Sequence, residues 1–317
     1  MIPWGRYRSA IVCVLLVLAL AAGRAGAEVE MTTISSGDET LYLMRNSHLK
    51  AVIDPANGGV VRSGRPEAES SEFLGETFTY TALEDRLRDT SLSYEVENST
   101  YSSFVATLSL KWEGPNGLAV RKNFSLLASE LVLRVNYTVE NGSQEKASLF
   151  CRSKLNFTVP EAVELRALAE DGLQVESPED LAVDETLTLE SPRWMSLVGE
   201  ESHEGLMQVL GTPILKSAEV TYSGAETSIG ILGHSINIPA GKVLKSDFNL
   251  VRLRGITSVV GDSQNIASAM EVETAGQTVR VKSNLLPLAN LSPRTISLVF
   301  KDDQGERVGE LKREPTE

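Results

Sequence analysis

The chain has 317 residues, 43 acidic against 30 Lys or Arg side chains, a net charge of −13 and 42% hydrophobic residues. That balance repels phosphate backbones and excludes nucleic acid and anionic membrane surfaces as partners, while the length suits one large domain or a large domain with a small one. With two cysteines and three histidines, none of the latter at metal-ligand spacing, neither a disulfide scaffold nor a metal site is expected.

The first 27 residues stand apart. Arg6 and Arg8 precede an apolar run from Ala10 to Ala22, and Ala25-Gly26-Ala27 offers the small residues of a cleavage site. A signal peptide cut after Ala27 is expected, hence a secreted or periplasmic protein. A membrane anchor is the competing reading, but a span takes about 20 apolar residues and Arg24 ends the run too early, so no membrane span is expected. Cys13 leaves with this segment. Cys151 then stands alone, and on the apolar face of a strand it reads as a buried thiol.

From residue 28 onward the pattern is one of short alternating segments. Leu41 to Ile53 opens the series and ends at Asp54-Pro55-Ala56-Asn57-Gly58-Gly59, a turn before Val60, Val61 and Arg62. Phe104, Ala106, Leu108, Leu110 and Trp112 fall on one strand face, closed by Gly114-Pro115-Asn116-Gly117, and Val120, Phe124 and Leu126 on the next. Leu131, Leu133, Val135, Tyr137 and Val139 alternate with polar residues. After Asn141-Gly142-Ser143 a second run carries Leu149, Cys151, Leu155, Phe157 and Val159, which reads as a hairpin.

Residues 161–192 are acidic, with a short helical turn expected over Glu161 to Ala169 and a strand over Ala182 to Leu189. Trp194 to Val198 and Gly205 to Leu210 read as two strands joined by a charged turn. Val220 to Tyr222, Ile229 to Ile231 and Ile236 to Ile238 follow, with Gly233-His234-Ser235 as a loop between the last two. Pro239-Ala240-Gly241-Lys242 turns into a long strand, Val243 to Leu253. Ile266 and Met270, four apart, suggest one helix over Asp262 to Glu271, and Thr278 to Val281, Thr295 to Phe300 and Arg307 to Lys312 are later strands. The expected organisation is a signal peptide (1–27), a β domain (28–260) and a linker helix with a small β appendage (261–317).

Three stretches carry a resemblance. Ala51 to Ser63 resembles the opening of the galactose mutarotase-like (aldose 1-epimerase-like) supersandwich family, where a strand meets a glycine-rich turn and a basic residue. Arg121 to Phe157 is similar to its central hairpin, and Ile236 to Lys242 to the turn before its penultimate long strand. The resemblance implies an all-β antiparallel supersandwich, here with a small C-terminal β appendage, and a carbohydrate partner. In the family's epimerases the strand after the hairpin carries a general-acid histidine. Here it reads Phe150-Cys151-Arg152-Ser153-Lys154-Leu155-Asn156-Phe157. Arg152 keeps its charge near neutral pH and supplies no proton, although a guanidinium fixes a hydroxyl or a uronate carboxylate well.

Arg62, Arg152, Trp194 and His234 are therefore expected to line a saccharide site, with no catalytic residue, metal or cofactor assigned. Trp194 enters as a flat apolar face for a pyranose ring, with core packing as its alternative. Two further readings stay open: an active sugar enzyme using His234 and an acidic residue, and a structural or interaction protein of the cell envelope. The Asn-x-Ser/Thr triplets at Asn98, Asn123, Asn136, Asn141, Asn156 and Asn290 fall in several cases inside predicted strands.

Overall fold

The computed structural model describes residues 28–36, 39–62, 79–81, 92–114, 117–158, 163–170, 172–176, 186–201, 203–210, 215–222, 226–256, 258–259, 261–262, 266–275, 278–287, 296–301 and 307–313. The proposed signal peptide, residues 1–27, and the triplet at Asn290 lie outside them.

Strands dominate. In chain order they are β1 (Glu30–Ser36), β2 (Glu39–Arg45), β3 (Lys50–Asp54), β4 (Val60–Arg62), β5 (Thr79–Thr81), β6 (Glu95–Tyr101), β7 (Val105–Glu113), β8 (Leu118–Leu127) and β9 (Val132–Asn141). Next come β10 (Ala147–Thr158), β11 (Val163–Ala169), β12 (Gly172–Glu176), β13 (Thr186–Glu190), β14 (Trp194–Gly199), β15 (Glu204–Leu210), β16 (Leu215–Tyr222), β17 (Glu226–Ile238) and β18 (Lys242–Arg254). The C-terminal part adds β19 (Gly261–Asp262), β20 (Ile266–Ala275), β21 (Thr278–Pro287), β22 (Ile296–Lys301) and β23 (Arg307–Arg313).

Two nine-stranded antiparallel sheets form the body. The first has the order β1-β2-β3-β4-β5-β10-β17-β16-β13, and the second β12-β11-β14-β15-β18-β9-β8-β7-β6. Their inner faces share one core. Alternation places Ala106, Leu108 and Leu110 of β7, Val120, Phe124 and Leu126 of β8, and Leu133, Val135, Tyr137 and Val139 of β9 against Ile53, Val61, Ala218 and Val220 of the first sheet. Phe104, expected on this face, instead lies at the β6–β7 turn and is 76% exposed, because β7 begins only at Val105.

The turn expected at Asp54–Gly59 is a 3-10 turn over Pro55–Asn57, with the Asp54 carboxylate accepting from the Asn57 backbone at 3.3 Å and the Asn57 amide at 2.9 Å. Gly59 has φ +63, and a Cβ there would come within 2.8 Å of the Leu110 side chain. The segment Leu41 to Ile53 is two strands, β2 and β3, folded back at Asn46.

Four expectations are corrected. First, β9 and β10 are not a hairpin: β9 pairs with β8 and β18, whereas β10 pairs with β5 and β17 in the other sheet. The chain arches from one sheet to the other at Asn141-Gly142-Ser143, so the two apolar faces oppose each other across the core instead of lying side by side. Second, Val163, Leu165, Ala167 and Ala169 are buried in alternation, which makes the expected helical turn the strand β11. Third, the expected linker helix is β20, paired along its length with β21. Fourth, Gly233-His234-Ser235 is no loop but lies within the single strand β17.

Two buried asparagines tie the sheets together at opposite ends of β9. Asn46, in the β2–β3 turn, donates to the carbonyls of Leu127 at 2.7 Å and Glu130 at 2.8 Å and accepts from the backbone of His48 and Leu49. Asn141 donates to the carbonyls of Ile238 at 2.8 Å and Glu145 at 2.7 Å. Each amide thereby uses both donors and its carbonyl, the condition for burying it without loss.

A smaller second core covers the outer face of the second sheet. Val132, Trp194, Val198, Met207, Val251 and Leu253 point away from the main core and pack with Ile256, Val259 and Ala269 from the chain that follows β18. The appendage consists of the three-stranded sheet β19-β20-β21 and the hairpin β22-β23.

Candidate functional site

β10, β17 and β16 are neighbours in the first sheet, and their registers break at one level. Between Phe150 and Arg152 of β10 the partner strand β17 runs from Ser235 to Leu232, so β17 holds one extra residue. Between Leu215 and Ser217, β16 in turn holds one more than β17, whose partners there are Gly233 and Leu232. Cys151, Gly233-His234 and Lys216 thus occupy two adjoining bulges. Bulges bend a strand and re-aim its side chains, and they concentrate next to functional sites; a glycine inside a strand is their usual mark.

Below the bulges the register is regular. Arg152, Leu232, Ser217 and Glu190 form one cross-strand row; Thr81, Lys154, Gly230, Glu219 and Thr188 form the next; Thr79, Asn156, Ser228, Thr221 and Thr186 form the third. Ala218, Val220 and Leu189 are fully buried in the core between these positions, so the three rows belong to the outer face of the sheet.

The structure therefore brings Arg152 and His234 to adjacent strands at the bulge. Arg62 sits in the same sheet on β4, beyond β5. It pairs with Val52 and follows Val61, which shares a row with Tyr80 and Leu155. That separates it from Arg152 by about 13 Å along the strands and about 10 Å across them. Trp194 does not join them: it lies on β14 of the other sheet, 0% exposed, in the second core. Its ring is a packing element, for which its place beside alternating Val198 gives the reason, and it offers no face to a sugar.

Sequence reasoning missed two polar groups. Lys122 lies between Val120 and Phe124 on the core face of β8 and is 2% exposed. Its ammonium donates to the Gly58 carbonyl at 2.5 Å and stands 5.0 Å from the Tyr94 ring centroid. A cation at an even position of an apolar alternation was the available signal. The second group joins the β14–β15 turn to β18. Arg252, nearly fully buried, donates to the Glu204 carboxylate at 2.9 Å and to the His48 carbonyl at 3.2 Å, and Arg254 approaches the other Glu204 oxygen at 3.9 Å. Burial, and then the charges of Arg254 and Arg252, hold the His48 imidazole below its ordinary value of 6.5.

The three histidines are thus dispersed over the β2–β3 turn, the β14–β15 turn and β17. No three His, Cys, Asp or Glu side chains converge as a metal set among the described residues. Nor is any helix among them long and apolar enough to cross a membrane.

No sequence-family model and no curated protein sequence matches the chain. Solved structures do. A putative aldose 1-epimerase from Klebsiella pneumoniae superposes with TM-score 0.54 at 11% identity, over 71% of this chain and 83% of that one. A galactose mutarotase related enzyme from Lactobacillus acidophilus gives 0.51 at 14%, over 70% and 97%. A TPR-domain containing protein from Parabacteroides distasonis gives 0.55 at 10%, over 76% of this chain and 51% of that one.

Proposed function

On this galactose mutarotase-like supersandwich fold, we propose that the chain is an exported carbohydrate-binding protein without epimerase activity. One observation carries the reading: β10, the strand that the resemblance makes the bearer of the general acid, contains no histidine and instead places Arg152 and Lys154 in the outer-face rows. A guanidinium binds oxygen atoms in a fixed fork and does not exchange protons near neutral pH. Binding groups are present where proton-transfer groups are wanting. Export rests on the N-terminal pattern, and N-terminal sequencing of the extracellular or periplasmic protein should begin at Glu28.

The reading is tested by a glycan array followed by calorimetry on the hits, together with the rate of anomer interconversion. Saturable binding with an interconversion rate equal to the buffer blank is expected. No binding to any saccharide would remove the proposal.

A second reading, an active sugar enzyme, is favoured by the bulge that sets His234 beside Arg152. Interconversion above the blank that His234→Ala abolishes would establish it in place of the first.

A further inference from the structure

The Asn-x-Ser/Thr triplets have no part in the candidate site, and the structure sorts four of them. Asn98, Ser109, Asn123 and Asn136 form one cross-strand row over β6, β7, β8 and β9, on the outer face of the second sheet, alternating with the core residues of β7, β8 and β9. Asn141 is buried, with its amide hydrogens given to two carbonyls. Asn123 and Asn136 face each other directly, their Cβ atoms about 5 Å apart, and each has a strand on both sides. Asn98 differs. It is exposed, its amide has no hydrogen-bond partner among the described residues, its row neighbour is the small Ser109, and no described strand lies beyond β6.

The edge strand supplies a second observation. A sheet edge presents unpaired backbone groups to other chains, and charged side chains or a bulge are the usual guard against pairing. Glu95 and Glu97, with the bulge between Val96 and Asn98, guard the first half of β6. The second half, Asn98-Ser99-Thr100-Tyr101, carries no charge and leads to Tyr101 and Phe104, 63% and 76% exposed. The triplet begins where the charges stop.

Resting on the export in the proposed function, we infer that Asn98 carries an N-linked oligosaccharide and that this glycan guards the uncharged half of the β6 edge. A bulky, solvated group on an edge strand blocks pairing as a charge does. The donor is an oligosaccharide joined through its anomeric carbon to a polyprenyl diphosphate in the exporting membrane. The Asn98 amide nitrogen bonds to that carbon and loses one proton, while the carbon–oxygen bond to the diphosphate breaks and the diphosphate leaves with the electron pair. Thr100 completes the acceptor triplet, its hydroxyl 2.7 Å from that of Thr107. The glycan projects from the outer face of the second sheet, so the outer face of the first sheet stays clear of it.

Mass spectrometry of the protein exported by its natural host tests this on the tryptic peptide 89–111, in which Asn98 is the sole asparagine. That peptide should carry an oligosaccharide mass, lost in Asn98→Gln and Thr100→Ala and kept in Thr100→Ser, which preserves the triplet. In sedimentation at high concentration, Asn98→Gln should form species larger than wild type. An unmodified peptide in a chain that begins at Glu28 overturns the inference and leaves export standing, whereas an unmodified chain that retains residues 1–27 overturns both. A modified peptide together with an Asn98→Gln variant that sediments as wild type overturns the guarding role.

Discussion

The amide of Asn141 at the end of β9 donates to the carbonyl of Ile238 at the end of β17, 2.8 Å away, and so fastens one sheet to the other. The Gly241 backbone donates back to the Asn141 carbonyl at 2.7 Å, and Ala147, the first residue of β10, pairs with Ile238. Both arches between the sheets, β9 to β10 and β17 to β18, therefore close on this one residue, through its side-chain amide and its backbone carbonyl, three to five residues from the bulge in β17. The asparagine sets the starting register from which the bulged level of the candidate site is reached.

Asn141→Ala should lower stability by about 2–4 kcal/mol, since the Ile238 and Glu145 carbonyls lose a buried donor. Urea unfolding at pH 7 reads this as a lower midpoint with an unchanged slope. A midpoint equal to wild type would show that the arches hold without the amide.

Lys122 separates packing from charge. Lys122→Ala leaves a void against Tyr94 and the Gly58 loop and should cost about 3 kcal/mol, whereas Lys122→Met fills the same volume and should stay within about 1.5 kcal/mol of wild type. If the two variants unfold at the same denaturant concentration, the ammonium and not its stem supports the turn.

Trp194 and Trp112 should differ in solution. Trp194 is fully buried in the second core, while Trp112 packs only partly against the first. In the Trp112→Phe variant of residues 28–317, which lack Trp4 and keep Trp194 alone, the emission should be blue-shifted and resist iodide quenching, and saccharide should leave it unchanged. Efficient quenching would place Trp194 at the surface and restore it as a ligand platform.

His48 gives a pH dependence with a definite sign. Its folded-state pKa is held below 6.5 by burial and by Arg254 and Arg252, so the unfolded chain takes up the proton first. Its contribution is fully present above 6.5 and is lost as pH falls from there through the lower folded-state value. Denaturation of wild type and His48→Gln across this window should show the wild type losing stability more steeply; parallel profiles would contradict the assignment.

The core faces of β7, β8 and β9, the β14–β15 hairpin and the β22–β23 hairpin were legible because a two-residue period states which side of a strand is buried. The period does not state which sheet a strand joins, and so Leu131–Val139 and Leu149–Phe157 read as neighbours although they face each other across the core. Glycine raised a second ambiguity. Gly233 marks a turn or a bulge equally well, and pairing with both β10 and β16 decided for a bulge. That Arg152 and His234 come to adjoining strands at one bulged level was not legible, since it depends on the register between strands far apart in sequence.

Asn141 is followed by Gly142, the pairing in which an asparagine most readily loses its amide, through attack of the next backbone nitrogen on the side-chain carbon. In the folded chain that nitrogen is engaged, donating to the Gly117 carbonyl at 2.7 Å, and Asn141 is 1% exposed. Unfolding releases both at once. An aspartate formed there would carry a buried charge to the place where two carbonyls require donors, so a molecule deamidated while open would not close properly again. The same residue that joins the sheets thereby records, in its own chemistry, whether the chain has remained folded.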